Sequence, residues 1–164
     1  VTALPPDNDL SKLDPVFRER VEEVLRRMRV DGFDAIVWEA HRSFERAEQL
    51  ARVGTGIAKS MHCYGLAADI VPAKPPHWGP PATFWAALRR HIEALGCTSG
   101  MTFTRRHAKG DLDHMQALPA SCDAWVRNAT AAEIAERVAL ELDATSPDRR
   151  DTIKQPSKPP GGHG

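Results

Sequence analysis

Two stretches well apart in the chain impose the strongest constraint on how it can fold: Ser60-Met61-His62-Cys63-Tyr64-Gly65-Leu66-Ala67-Ala68-Asp69 and Asp111-Leu112-Asp113-His114. They supply two histidines and a carboxylate able to share one metal ion, with a further carboxylate beside them. A fold that uses them as a set must bring residues 62, 69 and 114 to one point. Asp69 sharpens this demand. It lies within the apolar run 66–71, closed by Pro72, which reads as a strand. Alternation places it on the face of Ala67 and opposite Ala68 and Ile70. A buried carboxylate without a partner is strongly unfavourable, so Asp69 needs a cation or a set of donors. A metal is one such cation, and an arginine in a buried salt bridge is the other.

Tyr64-Gly65 joins the loop ending in His62 to the strand carrying Asp69, and glycine permits the tight bend that returns the carboxylate toward the imidazole. His114, in the run Leu112 to Gln116, is the natural third ligand, because neutral imidazole with carboxylate suits zinc. Three protein ligands with a fourth position for water are the requirement of a catalytic zinc site, and they point to hydrolysis. His77 falls in a proline-rich excursion, His91 between core positions of a helix, His107 in a basic turn and His163 in the C-terminal tail. These four read as structural or solvent-exposed. His41 stands apart because it precedes Arg42.

The rest of the chain reads as short helices and strands in mixed order. Asp14 is an N-cap with proline at the first helical position, and Val16, Phe17, Val21, Val24, Leu25 and Met28 form one apolar stripe of a helix that stops near Asp31-Gly32. A strand over 33–38, a helix over 43–53 ended by Gly54, the strand 66–71, a helix over 83–95 ended by Gly96, and a last helix over 131–142 capped by Thr130 follow. Residues 72–81, rich in proline, form a surface excursion along the rim of a cleft. Residues 101–104 and 112–116 are strands separated by the basic turn 105–110, able to pair as a hairpin. Several strands lie only a turn apart, which favours α+β over a doubly wound sheet. The expected architecture is a small single domain, a short antiparallel sheet with helices packed on it.

At 164 residues and 41% hydrophobic content the chain suffices for one such domain, placed over 1–145, with 146–164 a flexible tail rich in Pro, Lys and Gly. The 22 basic and 22 acidic side chains cancel, leaving no net field to draw the protein onto nucleic acid or an anionic membrane. No segment has the length of a membrane span, and the N-terminus carries no signal peptide, so the export route is open. Cys63, Cys97 and Cys122 form no disulfide framework and read as free thiols in or near the core. Cys63, adjacent to His62, points the other way and is left out of the site.

The pattern Ser60-x-His62-x-x-Gly65-x-Ala67-x-Asp69 followed by Asp111-x-x-His114 resembles the signature of the LAS superfamily of zinc peptidases. That group includes D-alanyl-D-alanine carboxypeptidases and the L-alanyl-D-glutamate endopeptidases of phage endolysins. His41-Arg42-Ser43, with Gln49 after it, resembles the Tyr-Arg-Ser segment that precedes the zinc motif in many members. The resemblance spans about Asp9 to Leu142 and keeps the order of elements. It implies one catalytic zinc held by His62, Asp69 and His114 in a surface cleft, Asp111 as general base, Arg42 on substrate or its developing oxyanion, and Ser60 and Gln49 as substrate-binding residues. Two departures stand out: His41 replaces an aromatic, and Asp113 adds a carboxylate that competes with Asp111 for the base role. Asp111 is preferred provided it sits in the turn after Gly110, since in an ideal strand it would point away from His114.

The resemblance further implies a monomer acting on the stem peptide of peptidoglycan at the bacterial cell wall, in the periplasm or outside the cell. Endopeptidase action of the L-alanyl-D-glutamate type ranks first and D-alanyl-D-alanine carboxypeptidase or dipeptidase second. A non-catalytic zinc-containing binding module of the hedgehog type is the rival from another class. A metal-free domain in which Asp69 pairs with arginine is the plainest one.

Overall fold

The helix boundaries follow from local capping. In a computed structural model, which describes residues 4–103 and 111–144, the Asp14 carboxylate accepts hydrogen bonds from the backbone N–H groups of Val16 at 3.0 Å and Phe17 at 3.1 Å. With Pro15 at the first position, helix α1 runs Pro15–Val30. Ser43 caps α2 (Phe44–Arg52) by accepting from the Arg46 N–H at 3.1 Å. Helix α3 spans Ala82–Ala94 and a short α4 spans Asp123–Val126. A reciprocal cap between Thr130 and Glu133 opens α5 (Ala131–Ala144), the Glu133 carboxylate accepting from the Thr130 N–H at 2.8 Å.

Strands β1 (Ala35–Glu39), β2 (Ala67–Pro72), β3 (Thr98–Ser99) and β4 (His114–Gln116) form one sheet in the order β1-β2-β4-β3, every neighbouring pair antiparallel. The fold is therefore α+β, as the order of elements predicts. Helix α1 packs against α3, α5 and β1. Phe17, Val21, Val24 and Met28 of α1 are buried with Leu88 and Ile92 of α3, Val138 and Leu142 of α5, and Ala68, Ile70 and Met115 of the sheet. Each large apolar side chain so enclosed contributes about 1.5–3 kcal/mol.

The hairpin expected between 101–104 and 112–116 is built otherwise. The partner of β4 is Thr98–Ser99, with Thr98 opposite Gln116 and Ser99 opposite Met115, while Gly100–Thr102 coils into a 3-10 turn. The Ser99 hydroxyl accepts from the Met101 N–H and draws the chain out of the strand. Strand β1 extends one residue further than expected, to Glu39, through a bulge. Val37 pairs with Ile70 and Glu39 with Asp69, leaving Trp38 as the extra residue. Cys97 is buried, Cys63 and Cys122 are half-buried, and all three are free thiols. Burial pushes the Cys97 thiol up to about 12. The basic turn 105–110 with His107, and the tail 146–164 with His163, lie outside the described residues.

Candidate metal centre

One row of residues across the sheet organises the site. Asp69 lies in the middle of it, paired in register with Glu39 on β1 and with His114 on β4. Directly opposed residues of antiparallel strands project from the same face, so these three side chains emerge together. Ala68 and Ile70, fully buried, project to the other face and into the core. The sheet thus separates the apolar interior from the polar cluster.

His62 arrives from outside the sheet. It sits in the 3-10 turn Met61–Tyr64, which ends at Gly65 in the left-handed region with φ 68°. A Cβ at Gly65 would lie 2.5 Å from the Lys12 carbonyl oxygen, so both conformation and space require glycine here. The turn carries the chain into β2 and returns Asp69 to the imidazole. His62 Nε2 lies 3.1 Å and His114 Nδ1 3.2 Å from the same oxygen, Asp69 Oδ1. The ligand atoms of the three residues all fall within 4.8 Å of one another. Two imidazole nitrogens and a carboxylate oxygen converging in this way form a donor set that fits zinc.

The charges around the cluster are strongly coupled. Burial alone would raise the Asp69 carboxyl, but the charge on His62 and hydrogen bonds from His114 and His62 hold it well below the usual carboxylate range. Burial opposes the charge on His114, yet its hydrogen bond with Asp69 and the charges of Asp69 and Asp111 raise it. Asp69 Oδ2 faces Arg42, whose Nη2 is 3.6 Å away. Metal ligation and a salt bridge, the two fates open to Asp69 from sequence, are therefore compatible, since each engages a different carboxylate oxygen.

Arg42 is held from behind by Glu39, which sequence reasoning missed. Glu39 is 2% exposed; its Oε2 accepts from Arg42 Nε at 2.9 Å and from Arg42 Nη2, and its Oε1 from Arg46 Nε at 2.6 Å. Spacings of three and seven residues from Glu39 to the two arginines are the available signal, but the sequence pattern ends the strand at Trp38, one residue earlier. Trp78 was missed as well. Its indole N–H donates to Asp113 Oδ2 at 2.9 Å, and its ring stands 5.2 Å from that of Trp38, so the proline-rich excursion folds against the rim of the cluster.

Asp111 precedes β4, outside the strand geometry that would turn it away, and its N–H donates to the Gly100 carbonyl at 2.9 Å. Gly100 is required by this close approach: a Cβ there would lie 2.5 Å from Asp111 O and 2.7 Å from His114 Cβ. Asp113 is buried beside both carboxylates. Burial first, then the charge of Asp69 and a hydrogen bond with Asp111, push it up to about 7, against the pull of the Trp78 N–H. Ser60 is buried at the head of the 3-10 turn, where its side chain makes no capping hydrogen bond. Gln49 engages the N-terminal segment, its Oε1 accepting from the Leu4 N–H at 2.9 Å and its Nε2 donating to Glu45. No contact among the described residues joins Gln49 to the cluster. His41 pairs with Asp7 through the backbone, and His91 meets Asp31 at 2.8 Å.

No family model and no curated protein matches the sequence. Among solved structures the chain is similar to the L-Ala D-Glu endopeptidase ChiX of Serratia marcescens, with a TM-score of 0.49 and 22% identity over 70% of this chain and 87% of that one.

Proposed function

We propose that the protein is a zinc-dependent peptidase that hydrolyses a peptide bond in bacterial peptidoglycan, with the L-alanyl-D-glutamate bond ranked first. The observation that carries this reading is the convergence of His62, Asp69 and His114, donors from two separate stretches of the sequence, beside the half-buried Arg42. The residues that would hold the zinc are these three. Bound there, zinc would supply a Lewis acid for the scissile carbonyl and make water a nucleophile near neutral pH.

The protein's own groups divide the remaining work. Asp111 takes a proton from the attacking water and returns it to the leaving amine. Arg42, kept charged by Glu39 and Asp69, offers its guanidinium to the oxygen that gains negative charge. Asp113 is buried with one carboxylate oxygen engaged by the Trp78 indole N–H, which leaves the base role to Asp111. Ser60 and the aromatic edge at Trp78 bound the space that the stem peptide enters.

Digestion of purified peptidoglycan with mass analysis of the fragments tests the reading. New N-terminal D-glutamate identifies endopeptidase action, and free D-alanine would identify a carboxypeptidase instead. Asp111→Ala should retain zinc while cleavage falls by at least about 100-fold. Undiminished cleavage by that variant would remove Asp111 from the mechanism, and inability of the native protein to release any fragment would favour a binding module.

A further inference from the structure

Gln116 follows His114 by two residues on β4, so both side chains leave the same face of the sheet. Opposite it on β2 stands Ala67, whose small side chain leaves the amide room to lie along that face. Gln116 is 2% exposed, and its amide orientation is fixed by what surrounds it. Nε2 donates to the Leu118 carbonyl at 2.8 Å and to Asp123 Oδ1 at 2.9 Å. Both partners only accept, so the NH2 end must face them and the carbonyl end must face the other way. That end, Oε1, meets His114 Nε2 at 3.3 Å.

A carbonyl oxygen cannot donate, so the proton of this contact resides on His114 Nε2. Nδ1, whose proton Asp69 Oδ1 accepts at 3.2 Å, is then the nitrogen that gives up its proton to a cation, leaving a lone pair there. The lone pair is thereby aimed at the point where His62 Nε2 and Asp69 converge. His62 differs: its Nδ1 is buried with no hydrogen-bond partner among the described residues, so no comparable contact sets its tautomer.

We propose that Asp123 and Gln116 are positioning residues that lock His114 in the Nε2–H tautomer and so present Nδ1 to a divalent cation. The inference rests on the metal reading above and assigns a task to α4, whose first residue supplies the carboxylate that ends the relay. Such outer contacts commonly alter metal affinity by roughly 10- to 100-fold.

The test uses the full chain, stripped with chelator and titrated with zinc in competition with a chromophoric chelator. Gln116→Met keeps the length and removes the acceptor, and should weaken zinc binding by roughly 10-fold or more. Asp123→Ala should weaken it less, since Leu118 still orients the amide, and Asp123→Asn, which retains an oxygen acceptor, should restore native affinity. Long-range 1H–15N spectra of the native protein should show the proton of His114 Nε2 retained with and without zinc, and that of Nδ1 lost when zinc binds. This measurement stands even if Gln116→Met fails to fold. Absence of the Nε2 proton from native His114, or native affinity in both Gln116→Met and Asp123→Ala, overturns the relay. Failure of the native protein to bind zinc overturns the metal reading separately and leaves the tautomer to be judged by the spectra.

Discussion

Glu39 carries a heavier burden than any carboxylate outside the cluster, because it is buried between two guanidiniums and one of them belongs to the site. Removing its charge leaves Arg42 and Arg46 facing each other in a poorly solvated place, which costs far more than losing a surface pair. Glu39→Gln should lower unfolding free energy by about 3 kcal/mol in urea denaturation. Glu22→Gln, which breaks the exposed pair of Arg18 and Glu22 on α1, should change it by under about 0.5 kcal/mol. Equal effects of the two would mean that the Glu39 pair is not an energetic keystone. The same substitution loosens Arg42, so peptidoglycan turnover should fall as well, even at temperatures where the variant is fully folded. At this scale the convergence of His62, Asp69 and His114 was legible because their chemistry and spacing are local or motif-like. Glu39, Gln116 and Trp78 were not, because each acquires its role only from register or loop closure.

At the scale of elements, the segment linking β3 to β4 decides whether the site assembles. Gly100 touches both Asp111 and His114, and the nearest atom is backbone, which cannot swing aside. Gly100→Ala should therefore destabilise the protein by about 1–3 kcal/mol and reduce zinc affinity at the same time, measured by thermal unfolding and zinc titration. An alanine variant with native affinity would show that His114 and Asp111 tolerate displacement. This element was also the one misread from sequence. The run Met101-Thr102-Phe103-Thr104 suggests a strand, whereas the residues that pair with β4 are Thr98 and Ser99, and a serine cap ends β3 there. Helices α1, α2, α3 and α5 were legible to within about two residues, since their caps and apolar stripes act within a few residues of one another. The bulge at Trp38 left no local signal, yet it aligns Glu39 with Asp69.

For the molecule as a whole, the sheet divides a dry core from a charged face, so the fold should persist without metal while its stability depends on metal and pH together. The core from α1, α3, α5 and the inner face of the sheet does not include His62, Asp69 or His114. Zinc binding only to the folded state adds stability by mass action, about 2.7 kcal/mol at a hundredfold excess over the dissociation constant. For a domain of this size that corresponds to a rise of about 5–10 °C in Tm. The sign of the pH effect follows from His114, whose charged form is favoured in the fold by Asp69. Without metal, that pairing stabilises fully below the unfolded histidine value of 6.5 and is lost as pH rises through the higher folded value. With metal, a proton must leave His114 before Nδ1 can bind, so apparent affinity falls as pH falls. The two dependences run in opposite directions, and the gap in Tm between zinc-loaded and chelator-treated protein should widen from pH 6 to pH 8. Paired melts at the two pH values measure it. A gap that is the same at both, or narrower at pH 8, would show that zinc does not displace a proton from His114 on binding.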